Sequence, residues 1–263
     1  MSDIIIDGIF DISNMKLTSL KGCPKVVTKS FLCNSNNLTS LEGGPEIVGG
    51  GYSATHNSLQ TLKGCASLIG AALNLDYNKQ LKNLEGCPEF VYQFSANRGN
   101  LESLKGGPKI SKTYDVTNNK LKTIEHAPVC IVESFMFSGN PIESIERFPK
   151  YFSGITDIYE LHPDSTNKIK LELGIPNDYL VYGLSSNVIL RLLNYIDFNY
   201  SDKEKLKKYT DKVENMFNKF YTQNIEKIKT KMEEIKSIYL DKKEKVTKES
   251  VIYNLLKSYL LRS

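Results

Sequence analysis

The chain has 263 residues, 40% hydrophobic and 24% charged, with 34 Lys and Arg against 30 Asp and Glu for a net charge of +4. This balance excludes a polar disordered chain, and no apolar run reaches the ~20 residues that cross a bilayer. The opening Met1-Ser2-Asp3-Ile4-Ile5-Ile6 lacks the charged region and long apolar core of a signal peptide, so a cytoplasmic location and no membrane partner are expected.

From the N-terminus onward, one block recurs seven times: Leu17/Leu20, Leu38/Leu41, Leu59/Leu62, Leu81/Leu84, Leu101/Leu104, Leu121/Ile124 and Ile142/Ile145. The steps are 21, 21, 22, 20, 20 and 21 residues. A fixed period in the low twenties predicts a solenoid. Most copies continue into Gly-x-Pro, as in Gly22-Cys23-Pro24 and Gly86-Cys87-Pro88. Seven or eight residues before each block an alternating segment predicts a short strand with one buried face: Phe10, Phe31, Tyr52, Leu73, Phe94, Tyr114 and Phe135 should form one inward column. Asn36, Asn57, Asn119 and Asn140 sit two residues before the Leu/Ile, where an amide can satisfy backbone groups of the turn.

This consensus resembles the leucine-rich repeat, over roughly residues 8–150. The copies Leu17-Thr-Ser-Leu20-Lys-Gly-Cys-Pro24 and Leu38-Thr-Ser-Leu41-Glu-Gly-Gly-Pro45 look like a short type found in large bacteriophages and giant viruses. The expected fold class is α/β: a leucine-rich-repeat solenoid with one parallel sheet over 1–162, followed by a C-terminal α-helical domain over 163–263. The resemblance implies a virus-encoded binding protein of the host-cell cytoplasm. It carries no catalytic residues to transfer.

Cys23, Cys65 and Cys87 share one column in Gly-x-Pro, and glycine or alanine takes the same place elsewhere. Soft packing residues, reduced and metal-free, are the expectation, with Cys65 and Cys87 buried. Three columns of strand residues face outward: Asp11, Leu32, Ser53, Asn74, Ser95, Asp115 and Met136, then Ser13, Asn34, Thr55, Asp76, Asn97, Thr117 and Ser138, then Asn14, Ser35, His56, Tyr77, Arg98, Asn118 and Gly139. This strip is polar and weakly acidic. His56, Asp76, Tyr77, Asn97 and Arg98 cluster in its middle, with Asp115 and Asn118 one coil further on. The 22-residue step and Asn97-Arg98-Gly99 break the repeat at the same place. Tyr and Arg are the residue types that dominate binding hot spots, so these seven residues are the candidate partner-binding set.

After Pro149 the pattern fades. Tyr151-Phe152 and Ile155-x-x-Ile158 predict a last irregular coil. Helical spacing returns over Ser185–Asn199, over Leu206 to Tyr239 with Thr222-Gln223-Asn224 as the expected break, and over Thr247–Leu261. The long stripe can pack on itself, on the solenoid's end, or on a second copy in a homo-oligomer. Residues 161–263 hold 19 Lys and Arg against 14 Asp and Glu, at helical spacing that favours a solvated face.

Nucleotide-binding glycine loops, metalloprotease pairs and nucleophile elbows are missing, and His56, His126 and His162 are far apart. Some bacterial effectors join leucine-rich repeats to a helical ubiquitin ligase, but residues 131–263 contain no cysteine for that chemistry. No enzyme activity, cofactor or metal is expected. The expected function is engagement of a host or phage protein, inhibiting a host process such as immunity. Two alternatives remain open: nucleic-acid or nucleotide binding through the basic helices, and an enzyme site where solenoid and helices meet.

Overall fold

The computed structural model describes residues 5–142, 151–152 and 203–241; within the last, side chains are described for Asp211 and for 214–234. One position after Gly-x-Pro comes a pair of residues, both apolar in most copies (Val26-Val27, Ile47-Val48, Phe90-Val91) and Ile110-Ser111 in one, which opens a first short strand. Strands β1 (Ile5–Ile6), β3 (Val26–Val27), β5 (Ile47–Val48) and β7 (Leu68–Ile69) make a four-stranded sheet in that order. A few residues later comes the aromatic strand. β2 (Phe10–Asp11), β4 (Phe31–Leu32), β6 (Tyr52–Ser53), β8 (Ala72–Asn74), β9 (Phe90–Ser95), β10 (Ile110–Asp115), β11 (Cys130–Met136) and β12 (Tyr151–Phe152) make a second, eight-stranded sheet. The strands pair in parallel, Phe31 in register with Tyr52 and Tyr52 with Leu73.

The single expected sheet is therefore corrected to two, and residue spacing is the reason. In the early copies three residues separate the inward Val27, Val48 and Ile69 from the inward Phe31, Tyr52 and Leu73, and the chain bends between the strands. The bends stack too closely for a Cβ at their first position in two coils: one on Gly49 would stand 2.2 Å from the Thr28 carbonyl oxygen, and one on Gly70 2.0 Å from that of Gly49. In the 20-residue copies only two residues separate Val91 from Phe94 and Ser111 from Tyr114, and one strand runs through. β11 regains the third residue, and the β10–β11 register shifts between Ser111 and Thr113.

The aromatic column is buried as expected from Phe10 to Phe135. Its rings contact one another up the stack, Phe31 to Tyr52 at 4.9 Å and Phe94 to Tyr114 at 4.7 Å between centroids. Both Leu/Ile of each described block line the same core. Asn36, Asn57, Asn119 and Asn140 form the expected buried column, joined by Asn78. Asn57 shows the bonding: its Nδ2 donates to the Cys33 carbonyl of the preceding coil at 2.9 Å and to Ala54 of its own at 3.2 Å. Its Oδ1 accepts the Leu38 N–H at 3.1 Å. An amide thus does between coils what a ladder does between strands. The first residue of Gly-x-Pro takes a positive φ from Gly22 to Gly106, and His126 follows at 67°.

Beyond the solenoid the described chain is one helix, α1 (Lys203–Asp241), unbroken through Thr222-Gln223-Asn224. A multi-helix domain is corrected to this single helix among the described residues. The segments 185–199 and 247–261, Ile155, Ile158 and the 162/163 boundary lie outside them. α1 lies neither on itself nor on the solenoid's end but along the first apolar position of the Gly-x-Pro strands. Phe217 packs with Phe90, Ile110 and Cys130, and Ile228 with Val26 and Ile47. Eleven residues of helix rise ~16 Å. The three to four coils between those contacts span about 17 Å at ~4.8 Å per strand, so α1 runs along the solenoid axis. Of the predicted stripe, Phe220 is exposed, and its place on the seam is taken by Tyr221 and Asn224. Asn224 is buried, and its Nδ2 donates to the Ile69 carbonyl at 3.0 Å.

All five cysteines are free. Cys33 and Cys130 are buried, whereas Cys23, Cys65 and Cys87 are only partly so, which corrects the expectation for Cys65 and Cys87. Burial pushes the Cys23 and Cys65 thiols up to about 12 and that of Cys130 to about 11.

Candidate functional site

The outward strip is built on the eight-stranded sheet, and its third column has a property that composition does not reveal. Asn14, Ser35, His56, Tyr77, Arg98, Asn118 and Gly139 all adopt the left-handed conformation, with φ between 52° and 65°. The turn leaving each strand requires it. Asn and Gly enter this region readily, but Tyr and Arg do so at a cost. The signal was present in Asn14, Asn118 and Gly139, three of the seven.

The strained residues contact one another. The His56 ring stacks on Tyr77 with centroids 4.1 Å apart and planes 21° from parallel. The Arg98 guanidinium lies 5.5 Å from the Tyr77 centroid, and its Nη1 donates to the Tyr77 hydroxyl. That hydrogen bond is the main reason the Arg98 pKa is raised, with Asp76 and Asp115 adding to it. His56, Tyr77 and Arg98 thus form a ladder across three coils.

Beside it runs a hydrogen-bonded chain. The Asp76 N–H donates to Asn74 Oδ1 at 3.0 Å. Asp76 Oδ1 accepts from Ser95 Oγ at 2.5 Å and from the Asn97 N–H at 2.9 Å. Asn97 Nδ2 donates to Asp115 Oδ2 at 3.0 Å, and Asp115 Oδ1 accepts the Thr117 N–H at 2.9 Å. Six of the seven candidate residues therefore fall into two adjoining motifs. Asn118 stands one coil beyond Arg98, and its side chain bonds to none of them. The strip is less acidic as a surface than its columns read. Exposed Lys79 and Lys120 follow the left-handed column by two residues and offset Asp76 and Asp115.

The irregular repeat is coupled to this site. Position 99, where a regular coil would place its asparagine, is glycine, and Leu81 N–H consequently lacks the usual Oδ1 acceptor. The fourth copy has two residues, Lys79 and Gln80, between asparagine and leucine instead of one. That lets Leu81 N–H donate to its own coil's Asn78 carbonyl at 3.2 Å. The insertion and the missing asparagine compensate each other, directly beneath Tyr77 and Arg98. Gly99 was visible in the sequence as part of the break, but Asn78 was not, because the insertion shifts the asparagine to three residues before Leu81.

Among the described residues there is no group of three His, Cys, Asp or Glu placed to hold a metal ion, and no helix long and apolar enough to cross a membrane. The side chains of Lys203, Lys205, Lys207 and Lys208 lie outside them. No protein-family model matches the chain, and no curated protein matches it.

Proposed function

We propose that the chain is a virus-encoded leucine-rich-repeat protein that binds a host or phage protein through the strip centred on Tyr77 and Arg98, inhibiting a host process such as immunity. One observation carries the binding reading. Two bulky residues are held in a left-handed backbone, at a break in the repeat that the neighbouring coils compensate, and together they present a rigid aromatic and cationic ladder to solvent. Local strain of this kind costs on the order of 1 kcal/mol or more per residue and is concentrated at functional sites. Preorganised Tyr and Arg give contact area with little further loss of entropy on binding.

Tyr77→Asn and Arg98→Asn test this cleanly, because asparagine suits the left-handed backbone and the fold is retained. The immobilised protein captures its partner from host-cell extract, and the purified partner is titrated by calorimetry. Each substitution should weaken binding by about 2 kcal/mol, the scale of a hot-spot loss. Unchanged affinity in both variants, with unfolding midpoints also unchanged, would remove the strip from the mechanism.

A further inference from the structure

We infer that the free face of the His56 ring, above Ser35, receives one aromatic side chain of the protein partner. This rests on the strip being the binding surface and adds what it recognises. One face of His56 is covered by Tyr77 at 4.1 Å, and the other is turned toward the next coil, that of Ser35. The two coils are adjacent, Ser35 N–H donating to the Thr55 carbonyl at 2.9 Å. Ser35 is exposed and ends at its hydroxyl, and Asn14, one coil further, is exposed as well. Aromatic pairs sit about 4.5–7 Å apart between centroids, and coils repeat every ~4.8 Å. The ladder therefore stops one ring short, with a ring's thickness of space where its next rung would be.

The other end is closed. Arg98 covers it, its guanidinium over Tyr77 and bonded to the tyrosine hydroxyl. The chemistry of the strip favours a side chain over a nucleobase. The carboxylates of Asp11, Asp76 and Asp115 are balanced by Lys79, Arg98 and Lys120, so the strip offers a phosphate backbone no net attraction, and the Arg98 guanidinium is already engaged with Tyr77.

The chain itself supplies the decisive variant. Tyr77 shows that a tyrosine fits the left-handed column at φ 60°, and Ser35 stands at 53°, so Ser35→Tyr would fill the slot with the protein's own ring. The probes are indole and p-cresol, with adenosine monophosphate for comparison. The reporter is the His56 Hε1 proton resonance, identified by its loss in His56→Gln. Indole and p-cresol should move it upfield in a saturable titration, and Ser35→Tyr should abolish the effect. A second variant, His56→Asn, suits the same backbone and should abolish saturation transfer to indole. A linear or absent shift, or one unchanged in Ser35→Tyr, overturns the slot. A nucleotide shift as strong as that of p-cresol overturns its assignment to a protein side chain. With the captured partner, Ser35→Tyr should lower affinity about tenfold. Loss in Tyr77→Asn with full affinity in Ser35→Tyr would refute the slot while the binding surface stands. Loss in neither would end both.

Discussion

Tyr52 and Tyr114 bury hydroxyls that find no hydrogen-bond partner among the described residues. In both coils the middle residue of the preceding Gly-x-Pro is glycine, Gly44 or Gly107. A Cβ at Gly107 would stand 2.9 Å from the Tyr114 oxygen, and one at Gly44 3.2 Å from that of Tyr52. Where the strand residue is Phe31, Leu73, Phe94 or Phe135, the slot holds Cys23, Cys65, Cys87 or Ala127. The two positions compensate in volume down the whole stack, so the cysteines are packing residues that fill a hole the hydroxyl would otherwise use. Tyr114→Phe should raise stability by about 1 kcal/mol, since an unpaired buried hydroxyl is removed. Gly107→Ala should lower it by roughly 1–3 kcal/mol through overpacking, and by less in the Tyr114→Phe background. Denaturant unfolding of the four proteins measures the coupling, and strict additivity would refute the pairing. The thiols add a pH dependence. Burial raises the Cys65 pKa from 9.0 to about 12, so the folded state holds that proton more tightly than the unfolded chain. Its contribution is whole below pH 9 and is lost as pH climbs toward 12. Unfolding temperature should fall above pH 9, and Cys65→Ala should make that fall shallower.

At the scale of elements, the inward pattern was readable because it repeats: six copies carry an aromatic in the strand column, seven the paired Leu/Ile and four the asparagine two residues before it. The second sheet and the seat of the helix were not. In Val26-Val27, Ile47-Val48 and Ile110-Ser111 the second member faces the core, and the first reads as a spare apolar residue until α1 is known to cover it. The stripe on α1 was legible, but its partner was not, because an amphipathic face does not say what it meets. Asn224, a residue expected to break the helix, instead pins it to the solenoid through Ile69. Of the site, the residues were legible from their types and from the broken period. The left-handed backbone and the compensation between Gly99 and the Lys79-Gln80 insertion required the stacked coils. α1 should therefore be integral to stability. Phe217→Ala empties the aromatic seam with Phe90 and Tyr92 and should cost about 3–5 kcal/mol. Asn224→Ala leaves the Ile69 carbonyl without that donor and should cost roughly 1–3 kcal/mol. Hydrogen exchange distinguishes this from an independent appendage. Docked as described, α1 loses amide protection in Phe217→Ala together with β9 and β10; a loss confined to α1 would mean it adds nothing to the solenoid.

The molecule as a whole offers two surfaces of different physics, and they predict different responses to salt. The strip is rich in fixed hydrogen bonds, and its charges offset one another, Asp76 and Asp115 against Arg98, Lys79 and Lys120. A partner held there by stacking and packing should lose little affinity as ionic strength rises. α1 carries Lys203, Lys205, Lys207 and Lys208 near its start, and further along it Lys229 pairs with Glu226 and Lys231 with Glu234, each within the helix. Contact through its lysines would release counterions and weaken steeply with salt. The expected outcome is that replacing Lys203, Lys205, Lys207 and Lys208 by Gln leaves partner affinity within about twofold, whereas Tyr77→Asn lowers it by more than tenfold. The affinity of the unmodified protein should also change by less than about threefold between low and moderate salt, because the strip's charges nearly cancel. Titrating all three proteins at two ionic strengths separates the surfaces. Loss confined to the lysine set, together with a steep fall in salt, would move the function from the solenoid to the helix and leave the coils as its support.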